Sequence, residues 1–472
     1  MGGDLFALVH RHGEVEPAVL NAAGRAGSGV SADELRAEGH TEMPFRHDPR
    51  TVTVPGCVDG WMALHQRFGR LDLAEVLGPA GELAEHGFPA SPLLVGSLAG
   101  LDERARPAFG ELIEQARRPG MWVRRPGVAR TLRAIAAGGR DAFYNGEFGT
   151  GLLGLAGGVH TAADLARSQA DWVPGLSVDA WNRRLWTVPP PSQGYLTLAS
   201  AAIAGGLDLP DDPDDPRWAH LLIEAALEAG SGRPAALHDR AIGADLLDPA
   251  QLAAARRRID PTRTRARPLP PLADGDTTYL CVVDGDRMGV SLINSNASGF
   301  GSWLVEPGTG INVHNRGLGF SLEPGHPAEL APGRRPPHTL SPGLVTAPDG
   351  ALVGPIGTMG GDGQPQIVLQ LLARLLVHGQ SPATAIGAGR WVLRGPVTGF
   401  DTWTAPAGPT VQIEGHAPES WPATLTAMGH RVERSGSFDS AFGHAHAIVV
   451  EPSGMLVGAA DPRARIGAAA GL

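Results

Sequence analysis

Apolar residues run along the chain in short blocks, spaced either by two or by three to four, and most blocks end at glycine or proline. Residues 4–10 and 17–21 read as short strands around the polar turn "RHGEVEP". "TVTVPGCVDGWMALHQRFG" (51–69) opens with strand-like alternation and breaks at Pro55–Gly56. It then carries Trp61, Leu64 and Phe68 at helical spacing. Helices are predicted over 71–87, which stops at a glycine, over 127–139 and over 218–230. "PDDPDDP" (210–216) is an acidic loop, and 256–276 reads as an exposed connector, basic and then proline-rich. Beyond it the pattern turns to strands: "TTYLCVVD" (277–284) and "GVSLINS" (289–295) as antiparallel neighbours, then 445–450 and 454–460, with one helix near 365–378. Helices dominate the first half and strands the second, an order that fits a layered α+β body better than a doubly wound sheet.

Composition narrows the choice of function. The chain has 472 residues, 42% hydrophobic and 19% charged, enough for a substantial core in two or three domains or in one large layered unit. Its 65 glycines and 41 prolines follow no repeat, so they imply many tight turns. A formal net charge of −10 argues against a nucleic-acid partner, and no apolar run reaches membrane-spanning length. Cys57 and Cys281 both lie in apolar, strand-like surroundings and read as buried thiols. The start "MGGDLFALVHRHGEVEP" lacks a secretory leader, so the expected location is cytoplasmic, and it resembles the interior of a domain. No nucleophile elbow, P-loop or dinucleotide fingerprint occurs. His444 and His446 in "GHAHA" share a strand face without a third ligand at metal-site spacing, so neither a metal nor a cofactor is expected.

The stretch "GDTTYLCVVDGDRMGVSLINSNASGFGS" (275–302) holds the candidate chemistry. An exposed connector leads into Thr277. On its own that residue reads as a strand threonine. A cut between Asp276 and Thr277 would change this, giving Thr277 a free α-amine beside its own hydroxyl. Such an amine titrates near ~8 and can serve as general base to an otherwise poor nucleophile.

The sequence here resembles the γ-glutamyltranspeptidase family of N-terminal-nucleophile (Ntn) hydrolases over almost its whole length. The residues that carry the resemblance are "TVTVPGCVDGWMALHQRFGRLDLAEVLGPAGELAEHGFPAS" (51–91), "PPPSQG" (189–194), the Thr277 region and "GFGSWLVEPGTGINVHNR" (299–316). "PGRRPPHTLSP" (332–342), "GTMGGDGQPQ" (357–366) and "GAADPR" (458–463) follow in order. The resemblance implies a four-layer αββα sandwich. It also implies a precursor that cuts itself into a large subunit, 1–276, and a small subunit, 277–472, which stay together as a heterodimer. Thr277 is then the nucleophile, Ser295 the supporting hydroxyl, Gly360 and Gly361 the oxyanion-hole pair, and Arg25 in "LNAAGRAG" the partner of the substrate α-carboxylate. Taken alone, Arg25 also reads as a surface salt-bridge residue.

Departures gather in the shell that would recognise glutamate. The acid that binds the substrate α-amine falls at Gly319 and its glutamine partner at Arg316; two carboxylate-binding serines become His338 and Thr339, and an asparagine becomes Ala297. Set against the family, the beginning implies either a start assigned too far downstream or a sandwich with one long apolar helix fewer. The expectation is an amidohydrolase that cleaves γ-glutamyl amides such as glutathione through an acyl-Thr277 intermediate, released to water or an amino acid. An acylase for glutaryl-type side chains, or a truncated and catalytically silent relative, are the alternatives.

Overall fold

Local chemistry explains where the main elements begin and end. In the computed structural model of the chain, which describes residues 1–265, 275–395, 402–403 and 409–471, the helix Pro216–Gly230 opens with proline in its first turn. The Asp215 carboxylate there accepts from the Arg217 N–H. The helix predicted over 71–87 spans Leu73–His86 and is closed by Gly87. The one predicted over 127–139 starts at Pro126 and breaks at Gly139, whose φ of 60° and ψ of −142° are not helical; a second helical stretch then continues to Tyr144 with Phe143 and Tyr144 buried. Residues 52–54 alternate as expected but join no sheet. They are extended and buried, and the Val54 N–H donates to the Arg25 carbonyl at 2.9 Å.

The chain forms two compact units, each assembled from separated segments. The first comprises 1–5, 21–171 and 295–336, and the second 6–20, 172–294 and 337–472. Both draw on residues from either side of 276, so the expected division at that bond does not coincide with the compact units.

In the second unit a six-stranded sheet runs in the order 456–460, 445–450, 352–358, 343–346, 183–187, 176–180. Its neighbours are antiparallel, with Gly343 opposite both Thr187 and Ile356 and Ile448 opposite Gly458. Helices Tyr195–Ala204 and Gln364–Leu376 pack on this sheet, and Pro216–Gly230 packs on those helices. One continuous core includes Trp218, Trp391 and Trp421, each fully buried. A five-stranded sheet orders its strands as Asp171–Val173, Ala18–Ala22, Asp4–His10, Gly289–Ser298 and Gly275–Val283. Its strand Gly275–Val283 lies against Leu352–Thr358 and Ala445–Val450 of the six-stranded sheet, so two sheets stack face to face beneath the helices.

The first unit is mostly helical. Its cores gather Val52, Val54, Phe143, Tyr144 and Phe148 in one cluster and Leu98, Phe109 and Val123 in another. Among the described residues no helix is long and apolar enough to cross a membrane. Both cysteines are free; Cys57 is buried, but Cys281 is only partly covered, which corrects the expectation of two buried thiols. The connector reading needs correcting as well. Arg256 and Arg257 end the helix Pro249–Arg257, and Arg256 donates to the carbonyls of Ala202 and Ile203. A cation there satisfies carbonyls in the last turn of Tyr195–Ala204. Connector residues 266–274 and the Asp276 side chain lie outside the described residues.

Candidate active site

Period-two geometry decides which threonine of the pair 277–278 faces inward. Thr277 and Tyr279 are buried while Thr278, Leu280 and Val282 are exposed, so Thr277 points toward the neighbouring sheet. Thr277 is 8% exposed. Two residues on, the Tyr279 hydroxyl lies 2.9 Å from Ser291 Oγ and ties the strand to Gly289–Ser298 beside it.

The strand Gly275–Val283 runs beside the turn Gly361–Gly363, which follows the strand Leu352–Thr358 and leads into the helix Gln364–Leu376. Gly360 has φ 135° and Gly361 φ 54°, backbone conformations that glycine adopts without a Cβ clash. Among the described residues, neither of their N–H groups donates to a protein acceptor. The turn thus presents two backbone donors beside the strand that carries Thr277.

Thr339 and His338 are placed by the proline motif. Gln193 N–H donates to the His338 carbonyl and His338 N–H to the Pro191 carbonyl, both at 2.8 Å. Ser192 Oγ donates to the Leu340 carbonyl at 2.7 Å, and the Phe6 ring packs on His338 with centroids 4.7 Å apart. Thus "PPPSQG" serves as the seat for "HTL".

The first unit carries the arginines. Arg25 follows Gly24, where an added Cβ would stand 1.7 Å from the Val54 carbonyl oxygen; one on Gly56 would stand 2.1 Å from that of Ala22. Glycine is required at both places because two chain segments touch. Buried Asp4 joins them, accepting from Gly24 N–H at 2.9 Å and Gly56 N–H at 3.1 Å. Arg25 Nη2 pairs with Asp171 at 2.8 Å, and Arg335 Nη1 reaches the same carboxylate at 2.7 Å. Burial works to raise the Asp171 pKa, but the two guanidiniums hold it below the ordinary carboxylate range. Arg316 is 1% exposed, and its Nη2 donates to Ser295 Oγ at 3.4 Å. Ser295 Oγ also accepts from Ala297 N–H at 2.8 Å. Ala297 sits at φ 70°, a left-handed conformation that asparagine tolerates better than alanine.

Residues 1–471 of this chain match the description gamma-glutamyltranspeptidase. The chain belongs to the gamma-glutamyltranspeptidase family. It is 36% identical over its whole length, and 90% of the relative's, to the oxamate amidohydrolase proenzyme of Klebsiella pneumoniae. To the glutathione hydrolase-like YwrD proenzyme of Bacillus subtilis it is 32% identical, with the same two coverages. The cephalosporin acylase of Bacillus halodurans, a crystal structure, superposes with a TM-score of 0.87 at 33% identity, covering 98% of this chain and 86% of that one. The fold is therefore that of the Ntn-hydrolase acylases and transpeptidases, and the chain is an amidohydrolase of this family.

Within the family frame, Gly319 closes a short turn, Arg316–Gly319, and brings no charge to the place of the amine-binding acid. Reading the sequence missed four residues: Gln193, which reaches the Gly361 carbonyl in the second unit, and Gln169, Asp171 and Arg335, which surround Arg25 in the first. Gln169 accepts the Arg25 N–H at 3.1 Å and is itself held by buried Asp59, which accepts the Gln169 N–H at 2.8 Å. Arg335 was inside a recognised motif, but nothing local marks which of its basic residues turns inward.

One cluster has the residue types of a metal site: His220, Glu224 and His430, all buried. His220 Nε2 donates to the Asp260 carbonyl at 2.8 Å, which leaves Nδ1 to accept from His430 Nε2, also at 2.8 Å. Two nitrogens on a tetrahedral zinc would lie about 3.3 Å apart, each offering a lone pair. The observed contact is a hydrogen bond, so the trio reads as a buried polar chain.

Proposed function

We propose that the chain is a self-processing threonine amidohydrolase for small amides whose acyl group carries a carboxylate. Support comes first from Thr277, the inward-facing threonine at the start of a strand that borders the Gly360–Gly361 turn. In maturation Thr277 Oγ attacks the Asp276 carbonyl carbon, the peptide shifts to an ester, and water hydrolyses it. The products are the Asp276 carboxylate and a Thr277 α-amine. In turnover that amine takes the hydroxyl proton as Oγ attacks the substrate amide, and the oxyanion accepts from the two glycine N–H groups. Collapse breaks the C–N bond and returns the proton to the leaving amine. Water then releases the acid.

The fragments 1–276 and 277–472 would stay together because each core is shared between them. Trp218 packs in one cluster with Trp391, and Val52 in another with Val313. Separating them would expose fully buried aromatic surface.

For the acyl group, buried Arg316 beside Ser295 and uncharged Gly319 favour a carboxylate without an α-amine, in keeping with the name of the Klebsiella relative. A second reading, γ-glutamyl amides such as glutathione, draws on Arg25 and on the name of the Bacillus subtilis relative. Intact mass after incubation tests processing: fragments ending at Asp276 and beginning at Thr277 are expected, and one uncut chain would refute it. Rates on oxamate, a glutaryl anilide and a γ-glutamyl anilide test the acyl group. A kcat/KM on the γ-glutamyl compound above both others would establish the second reading instead.

A further inference from the structure

A turn built on two adjacent glycines has little intrinsic stiffness, because neither residue has a Cβ to restrict its rotation. Each peptide plane in this turn is nevertheless held by its carbonyl. Thr358 Oγ1 donates to the Met359 oxygen at 2.7 Å, Gly363 N–H to the Gly360 oxygen at 2.9 Å, and Gln193 Nε2 to the Gly361 oxygen at 2.9 Å. In a trans peptide the N–H points opposite the carbonyl, so the first two contacts aim the N–H groups of Gly360 and Gly361. The third stops the following peptide from rotating and dragging Gly361 with it.

Gln193 is the one side chain among these contacts that comes from a distant segment, and its own orientation is over-determined. It is 0% exposed. Its Nε2 also donates to the Thr339 carbonyl at 3.0 Å, and its Oε1 accepts from Arg233 Nε at 3.2 Å. Arg233 Nη2 pairs with Asp362 at 2.9 Å, and the other Asp362 oxygen accepts from Thr402 N–H at 3.1 Å. Arg233 therefore holds both the glutamine and the residue after the diglycine, closing a buried loop of contacts around the turn.

We propose that Gln193, oriented by Arg233, is a positioning residue for the oxyanion turn. The proposal rests on the reading of Thr277 as nucleophile and Gly360–Gly361 as oxyanion donors. Gln193 touches no reacting atom; it sets the direction of groups that do. A donor displaced by a fraction of an ångström loses much of its transition-state stabilisation while ground-state binding is left intact.

The test measures kcat and KM on matured protein for Gln193→Met and Gln193→Glu, with the uncut Thr277→Ala chain as control. Gln193→Met keeps the length and removes both amide functions; the expected result is a fall in kcat of about 10–100-fold with KM within about twofold of wild type. Gln193→Glu places a carboxylate against two carbonyl oxygens at neutral pH. Its protonated form regains one donor, so its rate relative to wild type rises as pH falls through the carboxyl range. A merely structural glutamine would show no such recovery. Gln193→Glu keeps the volume and the Arg233 contact, so it carries the test if the methionine variant does not fold. Wild-type kcat in both variants, or a loss confined to KM, overturns the proposal while the inactivity of Thr277→Ala keeps the nucleophile assignment. An active Thr277→Ala would instead overturn that assignment itself.

Discussion

Asp4 makes a sharp quantitative test, because a single buried carboxylate joins the glycine before Arg25 to the glycine that opens the helix Cys57–Phe68. It is 0% exposed and receives two backbone N–H groups. Replacing it with alanine orphans both. Each buried unsatisfied amide costs about 1–3 kcal/mol, so Asp4→Ala should lose about 4 kcal/mol, a large part of the ~5–15 kcal/mol typical of a folded domain. Asparagine keeps an acceptor oxygen at the same place and forfeits the charge, and its cost should be about 1–2 kcal/mol. Urea unfolding followed by fluorescence of the ten tryptophans measures both. Because Gly24 leads directly into Arg25, Asp4→Ala should also raise KM more than it lowers kcat. A midpoint for Asp4→Ala that corresponds to less than about 1 kcal/mol would refute the argument. So would an asparagine variant as damaged as the alanine.

The left-handed φ of 70° at Ala297 predicts that Ala297→Gly gains up to about 1 kcal/mol in thermal unfolding; a loss would show that the position is not strained. His160 is buried, and burial lowers its pKa to about 4. The unfolded chain then binds the extra proton first, so stability from this group is complete above pH ~6.5. It is lost as pH falls toward 4, by up to about 3 kcal/mol. The difference in unfolding free energy between wild type and His160→Gln should shrink over that window, and a constant difference would refute it. In the terminal motif "DPR", Asp461 lies between Arg390 Nη2 at 2.7 Å and Arg463 Nη1 at 3.1 Å, all three buried. Asp461→Ala takes the carboxylate from the buried Arg390 guanidinium, while Arg463 keeps Glu414, and should cost about 3–5 kcal/mol in urea unfolding, against an expected near-zero effect if the motif were catalytic only.

Much of the chemistry could be read along the chain because it depends on residues close in sequence. Thr277 follows a connector, and Gly360–Gly361 stand between a strand and a helix; each signal fits within a few residues. Helix limits were legible where caps and breaks are local, as at Asp215, Gly87 and Gly139, whereas the second helical stretch up to Tyr144, with Phe143 and Tyr144 buried, was not.

The sequence by itself determined the layered α+β class, the family, the candidate nucleophile and the glycine pair, since spacing and turn chemistry are properties of short segments. Only the tertiary structure decided which of Thr277 and Thr278 faces inward, that Arg25 and Arg335 share Asp171, that Arg316 borders Ser295, and that Gln193 and Arg233 brace the glycine turn. Those relations join residues up to hundreds of positions apart, brought together by burial of side chains from both compact units' separated segments. Burial and long-range hydrogen bonding act on distance in space, which local pattern does not encode.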